Sequence, residues 1–170
     1  IDGLGSEQST HSIFKGTENS LKLLACQKGN GIGSLYTLIT QTLGFEAGEE
    51  GKTMGLAPYG ENHQIMDKNL PNLKGKREGF LCDYSEQMFR NPSPALKFHI
   101  KKPNSKEDIY KPYYSRLAFN LQNECEEAVK YIVDYALNLT NSQNLCFSGG
   151  VALNCVANEI ISKQIKNNFF

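Results

Sequence analysis

The sequence predicts an α/β fold, and three observations carry that reading. A strand, a Gly-Gly turn and a helix follow one another at Leu145-Cys146-Phe147, Ser148-Gly149-Gly150 and Val151 to Gln164. Two runs with strand character, Ser12 to Gly16 and Leu21 to Cys26, flank the turn-rich Gly16-Thr17-Glu18-Asn19. A long amphipathic helix is expected from Tyr114 to Leu139, where Leu117, Leu121, Cys125, Ala128, Ile132, Tyr135 and Leu139 recur at steps of three or four. Its other face is expected to carry Glu124, Glu126, Glu127 and Lys130.

In chain order, Asp2-Gly3-Leu4-Gly5 reads as a tight turn after a strand, and the two strand-like runs read as an antiparallel hairpin or meander. Gly29-Asn30-Gly31-Ile32-Gly33 is a break. A helix is expected from Ser34 to Leu43, with Leu35, Leu38, Ile39 and Leu43 on one face and Gly44 as its cap. Met54-Gly55-Leu56-Ala57 reads as a helical turn. Pro58 should end it by disfavouring the helical region at Ala57, and Gly60 should supply a positive φ. From Glu61 to Pro112 the chain is polar and broken by prolines. A short helix from His63 to Asn69, a strand from Gly79 to Asp83 and a solvated loop from Lys101 to Asp108 are expected there.

Composition narrows the function. The 170 residues suit one domain, and 39% are apolar. Eighteen basic residues balance eighteen acidic ones, so there is no basic footprint for nucleic acid. No apolar run approaches the ~20 residues that span a bilayer, and no secretory signal opens the chain. The five cysteines are widely spaced without Cys-x-x-Cys, which points to reduced thiols and a cytoplasmic setting. Cys146 and Cys155 are expected in the core. His11, His63 and His99 are scattered and expected on the surface or in loops. The chain starts at Ile1, inside a strand pattern, and Phe169-Phe170 reads as the start of another strand. The expectation is a piece of a longer protein.

Three stretches carry chemistry. Glu50-Gly51-Lys52 sets a residue without a side chain, where backbone can approach a ligand, beside a mobile cationic donor to phosphate. Ser148-Gly149-Gly150 sits where a strand meets a helix, a position favourable for an anion, with Asn154 a turn further on. It lacks the spacing of a Walker loop. Asp2 precedes a Gly-x-Gly turn, as carboxylates that approach a metal or phosphate do in actin-like and sugar-kinase-like ATPases. From composition alone, each stretch also reads as a packing turn.

The chain resembles the O-carbamoyltransferase family that modifies antibiotics and nodulation factors. The resemblance is carried by Gly44-Phe45 with Glu50-Gly51-Lys52-Thr53-Met54-Gly55-Leu56-Ala57-Pro58-Tyr59-Gly60, by Asn144 to Asn154, and by Asp2-Gly3-Leu4-Gly5. It implies an actin-like ATPase, or ribonuclease-H-like, fold with a mixed sheet and flanking helices. Residues 1–170 would form a fragment of one nucleotide-binding domain. An upstream segment with two metal-binding histidines and a C-terminal domain would lie outside it. The implied activity forms carbamoyl adenylate from ATP and carbamoyl phosphate, then transfers the carbamoyl group to a hydroxyl of a small sugar-like or antibiotic-like acceptor. ATP and a divalent metal (iron, manganese or magnesium) are the implied cofactors. Gly51, Lys52, Ser148, Gly149, Gly150 and Asn154 would bind nucleotide, and Asp2 would ligate metal. Another actin-like ATPase such as a sugar kinase, or a non-catalytic nucleotide-binding module, are the alternatives.

Overall fold

The first long element is a hairpin, as the turn-rich spacer predicts. β1 (Ser9–Thr17) pairs antiparallel with β2 (Ser20–Lys28), and Glu18-Asn19 makes the two-residue turn between the partners Thr17 and Ser20. The structure is a computed structural model that describes residues 1–62, 69–90, 93–165 and 169. The base of the hairpin is buried at Thr10, His11 and Ile13, while Phe14, Leu21 and Leu23 near its tip are exposed. His11 departs from the surface position expected of it. It shares a strand face with Ile13 and is only 3% exposed. Its Nε2–H donates to the carbonyl of Phe80 at 2.7 Å.

α1 (Ile32–Thr42) buries Leu35, Ile39 and Leu43 as its periodicity requires. Gly44 has φ +93°. The N–H of Phe45 reaches Thr40 O at 3.2 Å and that of Gly44 reaches Gln41 O at 3.1 Å, which closes the helix in a Schellman motif. α2 spans Glu50–Leu56, so it starts earlier than the turn expected at Met54. Pro58 does not end the helical path at Ala57, which keeps φ −54° and ψ −45°. The chain tightens there into a 3-10 turn, Ala57–Gly60, whose first turn accepts proline. Nor does Gly60 supply a positive φ. It is glycine because a Cβ there would lie 2.1 Å from Ser115 O.

Two short hairpins follow, β3 (Lys76–Glu78) with β4 (Leu81–Asp83), and β5 (Met88–Phe89) with β6 (Ala95–Leu96). β4 is the strand expected near Gly79 to Asp83. The short helix expected from His63 falls on residues 63–68, outside the described residues.

α3 (Pro112–Thr140) is the 29-residue spine. Proline occupies its first turn, where no N–H is required, and Asn141 ends it in the left-handed region at φ 51°. Leu117, Leu121, Cys125, Ala128 and Ile132 are buried as expected, but Leu139 is exposed. Glu124 is buried rather than on a solvated face, because the β3–β4 hairpin covers that side of the helix. Its Oε1 accepts from Arg77 Nη2 at 2.8 Å, Tyr84 OH at 2.7 Å and Gly75 N at 3.0 Å. Removing one partner from such a buried pair costs about 3–5 kcal/mol.

The expected strand at Leu145 to Phe147 is reduced to one parallel bridge, Leu145 to Phe169. The helix expected from Val151 begins as a 3-10 turn, Gly150–Leu153, and becomes α4 (Cys155–Ser162). The architecture is mixed α/β. Helices α1, α3 and α4 share one core with residues such as Tyr84 and Met88, and small antiparallel sheets surround them. A single mixed sheet does not form among the described residues: each paired strand takes its chain neighbour in a two-stranded sheet. Cys146 and Cys155 are exposed instead of buried. No helix among the described residues is long and apolar enough to cross a membrane.

Candidate functional site

The N-terminal glycine turn is pinned to the start of α1. Ser34 Oγ donates to Gly3 O at 2.6 Å, and a Cβ on Gly33 would lie 2.6 Å from Gly3 N. Asp2 Oδ1 accepts the N–H of Gly3 at 2.7 Å. The Gly-Gly turn meets the same place from the far end of the chain. Ile1 N donates to Ser148 O at 2.7 Å, and Val151 N donates to Ile1 O at 3.2 Å. Gly149 has φ +105°, and its Cβ would lie 2.3 Å from Ile1 O. A Cβ on Gly150 would lie 3.0 Å from Asp2 Oδ1. At Gly33 and Gly149, where a Cβ would meet backbone, the two motifs interlock only because no side chain is present.

Their junction opens into a cleft of about 710 Å³. Leu4, Leu38, Met54 and Leu153 give it apolar walls. Asp2, Glu50 and Asn154 bring polar groups to it. Glu50 Oε1 accepts from Thr37 Oγ1 at 2.6 Å, which anchors the start of α2 one turn along α1 from Ser34. Buried Thr40 and Thr53 hydroxyls meet at 2.9 Å and fix the same helix pair. Gly51 faces open space, with no atom within 4 Å of where its Cβ would be.

Asn154 is the N-cap of α4, its Oδ1 accepting from Ala157 N at 3.0 Å. It also makes an amide pair with Gln122. Asn154 Nδ2 donates to Gln122 Oε1 at 2.9 Å, and Gln122 Nε2 donates to Asn154 Oδ1 at 3.1 Å. Tyr36 OH joins Gln122 Oε1 at 2.9 Å. Burial pushes the Tyr36 hydroxyl far above its ordinary range and the Cys125 thiol up to about 12, so both stay neutral in the cleft wall.

Of the residues singled out in the sequence, Asp2, Gly51, Gly150 and Asn154 line the cleft. Lys52, Ser148 and Gly149 do not. Lys52 points away, paired with Glu49 and 5.8 Å from the Phe45 ring centre. Ser148 and Gly149 are tied up with Ile1. Tyr36 and Gln122 escaped the sequence reading, and Glu50 was read only as part of its motif. The signal for Gln122 was an amide beside Leu121 on the apolar stripe of α3. No group of three His, Cys, Asp or Glu among the described residues could hold a metal. Asp2 offers a single carboxylate, so these residues do not by themselves make a metal site.

These features define a class: an α/β chain in which two glycine turns, drawn from opposite ends of the sequence, close one cleft beside a carboxylate. The chain belongs to the carbamoyltransferase family, whose description, carbamoyltransferase N-terminus, matches residues 1–168. It is 32% identical to the uncharacterized protein sll1178 of Synechocystis, over 98% of this chain and 28% of that protein. It is 25% identical to the nodulation protein NolNO of Sinorhizobium fredii, over 100% of this chain and 24% of that protein. It is 26% identical to the uncharacterized protein MJ1058 of Methanocaldococcus jannaschii, over 93% of this chain and 27% of that protein. The chain thus spans about a quarter of the length of these relatives.

Proposed function

We propose that the protein carrying this chain is an O-carbamoyltransferase, and that this chain builds the nucleotide-facing part of an actin-like domain. ATP, carbamoyl phosphate and water give carbamoyl adenylate with release of phosphate and pyrophosphate, and the carbamoyl group passes to a hydroxyl of a sugar-like or antibiotic-like small molecule with release of AMP. The observation that carries the reading is the closure of Gly150 on Asp2 at one cleft, within a chain of this family.

The first step needs phosphate charge offset and two reactants held in line. At Gly150 the backbone is open to a phosphate, with no Cβ to hold it off. Asp2 alone does not make a metal site; it would contribute one carboxylate ligand if a divalent iron, manganese or magnesium ion were held here with ligands supplied from elsewhere. That ion, when bound, offsets phosphate charge. Gly51 leaves room beside the ligand. Lys52 adds positive charge near the cleft rim and reaches a phosphate only by leaving Glu49. Ser148 and Gly149 hold the turn through their backbone, and Asn154 holds it through the cap of α4.

The test is calorimetric titration of ATP, with magnesium or manganese, into the full protein that carries this chain, beside its Asn154→Ala and Lys52→Ala variants. Roughly tenfold weaker binding by Asn154→Ala, about 1.4 kcal/mol, is expected, and a smaller loss by Lys52→Ala, whose ammonium is held by Glu49 outside the cleft. Pyrophosphate release that depends on carbamoyl phosphate is expected from the wild type. Release of ADP instead would indicate a kinase, and absence of ATP binding would indicate an interaction module.

A further inference from the structure

We infer that Gln122 is a positioning residue for this cleft: it sets the Asn154 amide and, through it, the seat of the Gly150–Leu153 turn against Asp2. The inference rests on the nucleotide reading above for its functional half only.

Gln122 comes from the middle of α3 and is 4% exposed. Its Oε1 accepts from Tyr36 OH and Asn154 Nδ2, and its Nε2 donates to Asn154 Oδ1 and to Glu126 Oε1, the last at 2.8 Å. Two partners at the ends of this network work in one direction only. The N–H of Ala157 can only donate, so the atom facing it on Asn154 must be the oxygen. Glu126 Oε1 accepts at the other end, so the Gln122 atom facing it is the nitrogen. With both ends fixed, the two amides have one mutual orientation.

The same network leaves Asn154 with no spare hydrogen-bonding position. Its oxygen takes Ala157 and Gln122, and its nitrogen serves Gln122 and the Cys125 sulfur at 3.9 Å. Asn154 therefore acts on a ligand through the backbone it holds. Its own N–H donates to Val151 O at 3.0 Å, and Ala152 N donates to Gly149 O at 3.0 Å. Fixing Asn154 fixes that turn, and the turn begins at the glycine that abuts Asp2. Through Tyr36, the same Gln122 holds α1, whose Ser34 carries the Asp2–Gly3 turn. One buried amide thus ties together the elements that close the cleft.

Gln122→Glu keeps the shape and replaces the donor with an oxygen facing two acceptors. Gln122→Met fills the space without hydrogen bonds. Tyr36→Phe removes one bond and leaves the amide pair intact. In the full protein, amide hydrogen exchange over residues 149–158 would be followed without ligand, and ATP with magnesium would be titrated. Both Gln122 variants are expected to exchange faster over 149–158, with α3 as protected as in wild type, and to bind ATP roughly tenfold more weakly, the scale of lost outer-shell support. Tyr36→Phe is expected to do less of both. Unchanged exchange overturns the positioning role whatever ATP does. Faster exchange with unchanged ATP affinity overturns its link to function. A wild type that binds no ATP overturns the nucleotide reading and the functional half of this inference, and the exchange result alone then decides the positioning.

Discussion

The carboxylate of Asp2 lies against the backbone of Gly150, so close that a Cβ on Gly150 would sit 3.0 Å from Asp2 Oδ1. A carboxylate at one end of the chain is thereby aimed by a glycine near the other. Gly150→Ala would push on the free end of a side chain, which can turn aside. Its stability cost is expected to be within about 0.5 kcal/mol, with a clear loss of ATP affinity in the presence of metal. Gly149→Ala would meet backbone at 2.3 Å from a positive φ, and is expected to destabilise by more than about 1 kcal/mol. Urea melts beside ATP titrations separate the two, and equal behaviour of both variants would contradict the argument.

Gly60 and Gly51 predict opposite signs. An alanine at 60 would drive its methyl into the α3 backbone at Ser115, at an expected cost of about 1–3 kcal/mol or more. An alanine at 51 meets nothing within 4 Å and sits inside α2, where it is expected to stabilise by up to about 1 kcal/mol. Its methyl would nonetheless enter the cleft, so ATP affinity should fall while the melting temperature rises.

The cysteines should sort by burial. Cys146 and Cys155 are exposed, while Cys82 and Cys125 are buried and burial raises both of their thiols. Maleimide labelling read by mass spectrometry is expected to mark Cys146 and Cys155 in the native protein, half-buried Cys26 more slowly, and Cys82 and Cys125 only after denaturation. Fast native labelling of Cys125 would mean that the cleft floor is open.

His11 is expected to make the fold less stable at acid pH. Burial holds its imidazole below the ordinary 6.5, partly offset by its bond to Phe80 O. The unfolded chain therefore binds a proton near 6.5 that the folded chain refuses. Stability present above that pH falls as pH drops from it toward the lower folded value. The urea midpoint should decline as the pH falls below 6.5, and His11→Gln, which cannot titrate, should flatten the decline. An unchanged slope in that variant would assign the dependence elsewhere.

Much of the secondary structure was legible because it is local. The spacing of Leu35, Ile39 and Leu43, the stripe from Leu117 to Ile132, and the turn at Glu18-Asn19 each need only neighbouring residues. Glu124 and His11 were misread because their burial is imposed from outside their own element. The β3–β4 hairpin covers Glu124 and supplies Arg77 and Tyr84, and Phe80 comes to meet His11. Lys52 stood out as a free cation, yet Glu49, one helical turn away, takes it.

By itself the sequence determined the family, through motifs that resemble it, and the main helices, the first hairpin and the glycine turns that matter, which rest on local spacing and on residues that tolerate no side chain. Only the tertiary structure decided that Asp2 and Gly150 share one cleft, that Asn154 is spent on capping α4 and pairing with Gln122, and that Lys52 lies outside. Those outcomes depend on contacts between residues as far apart as Ile1 and Ser148, and side-chain hydrogen bonds at such separations leave no periodicity in the chain.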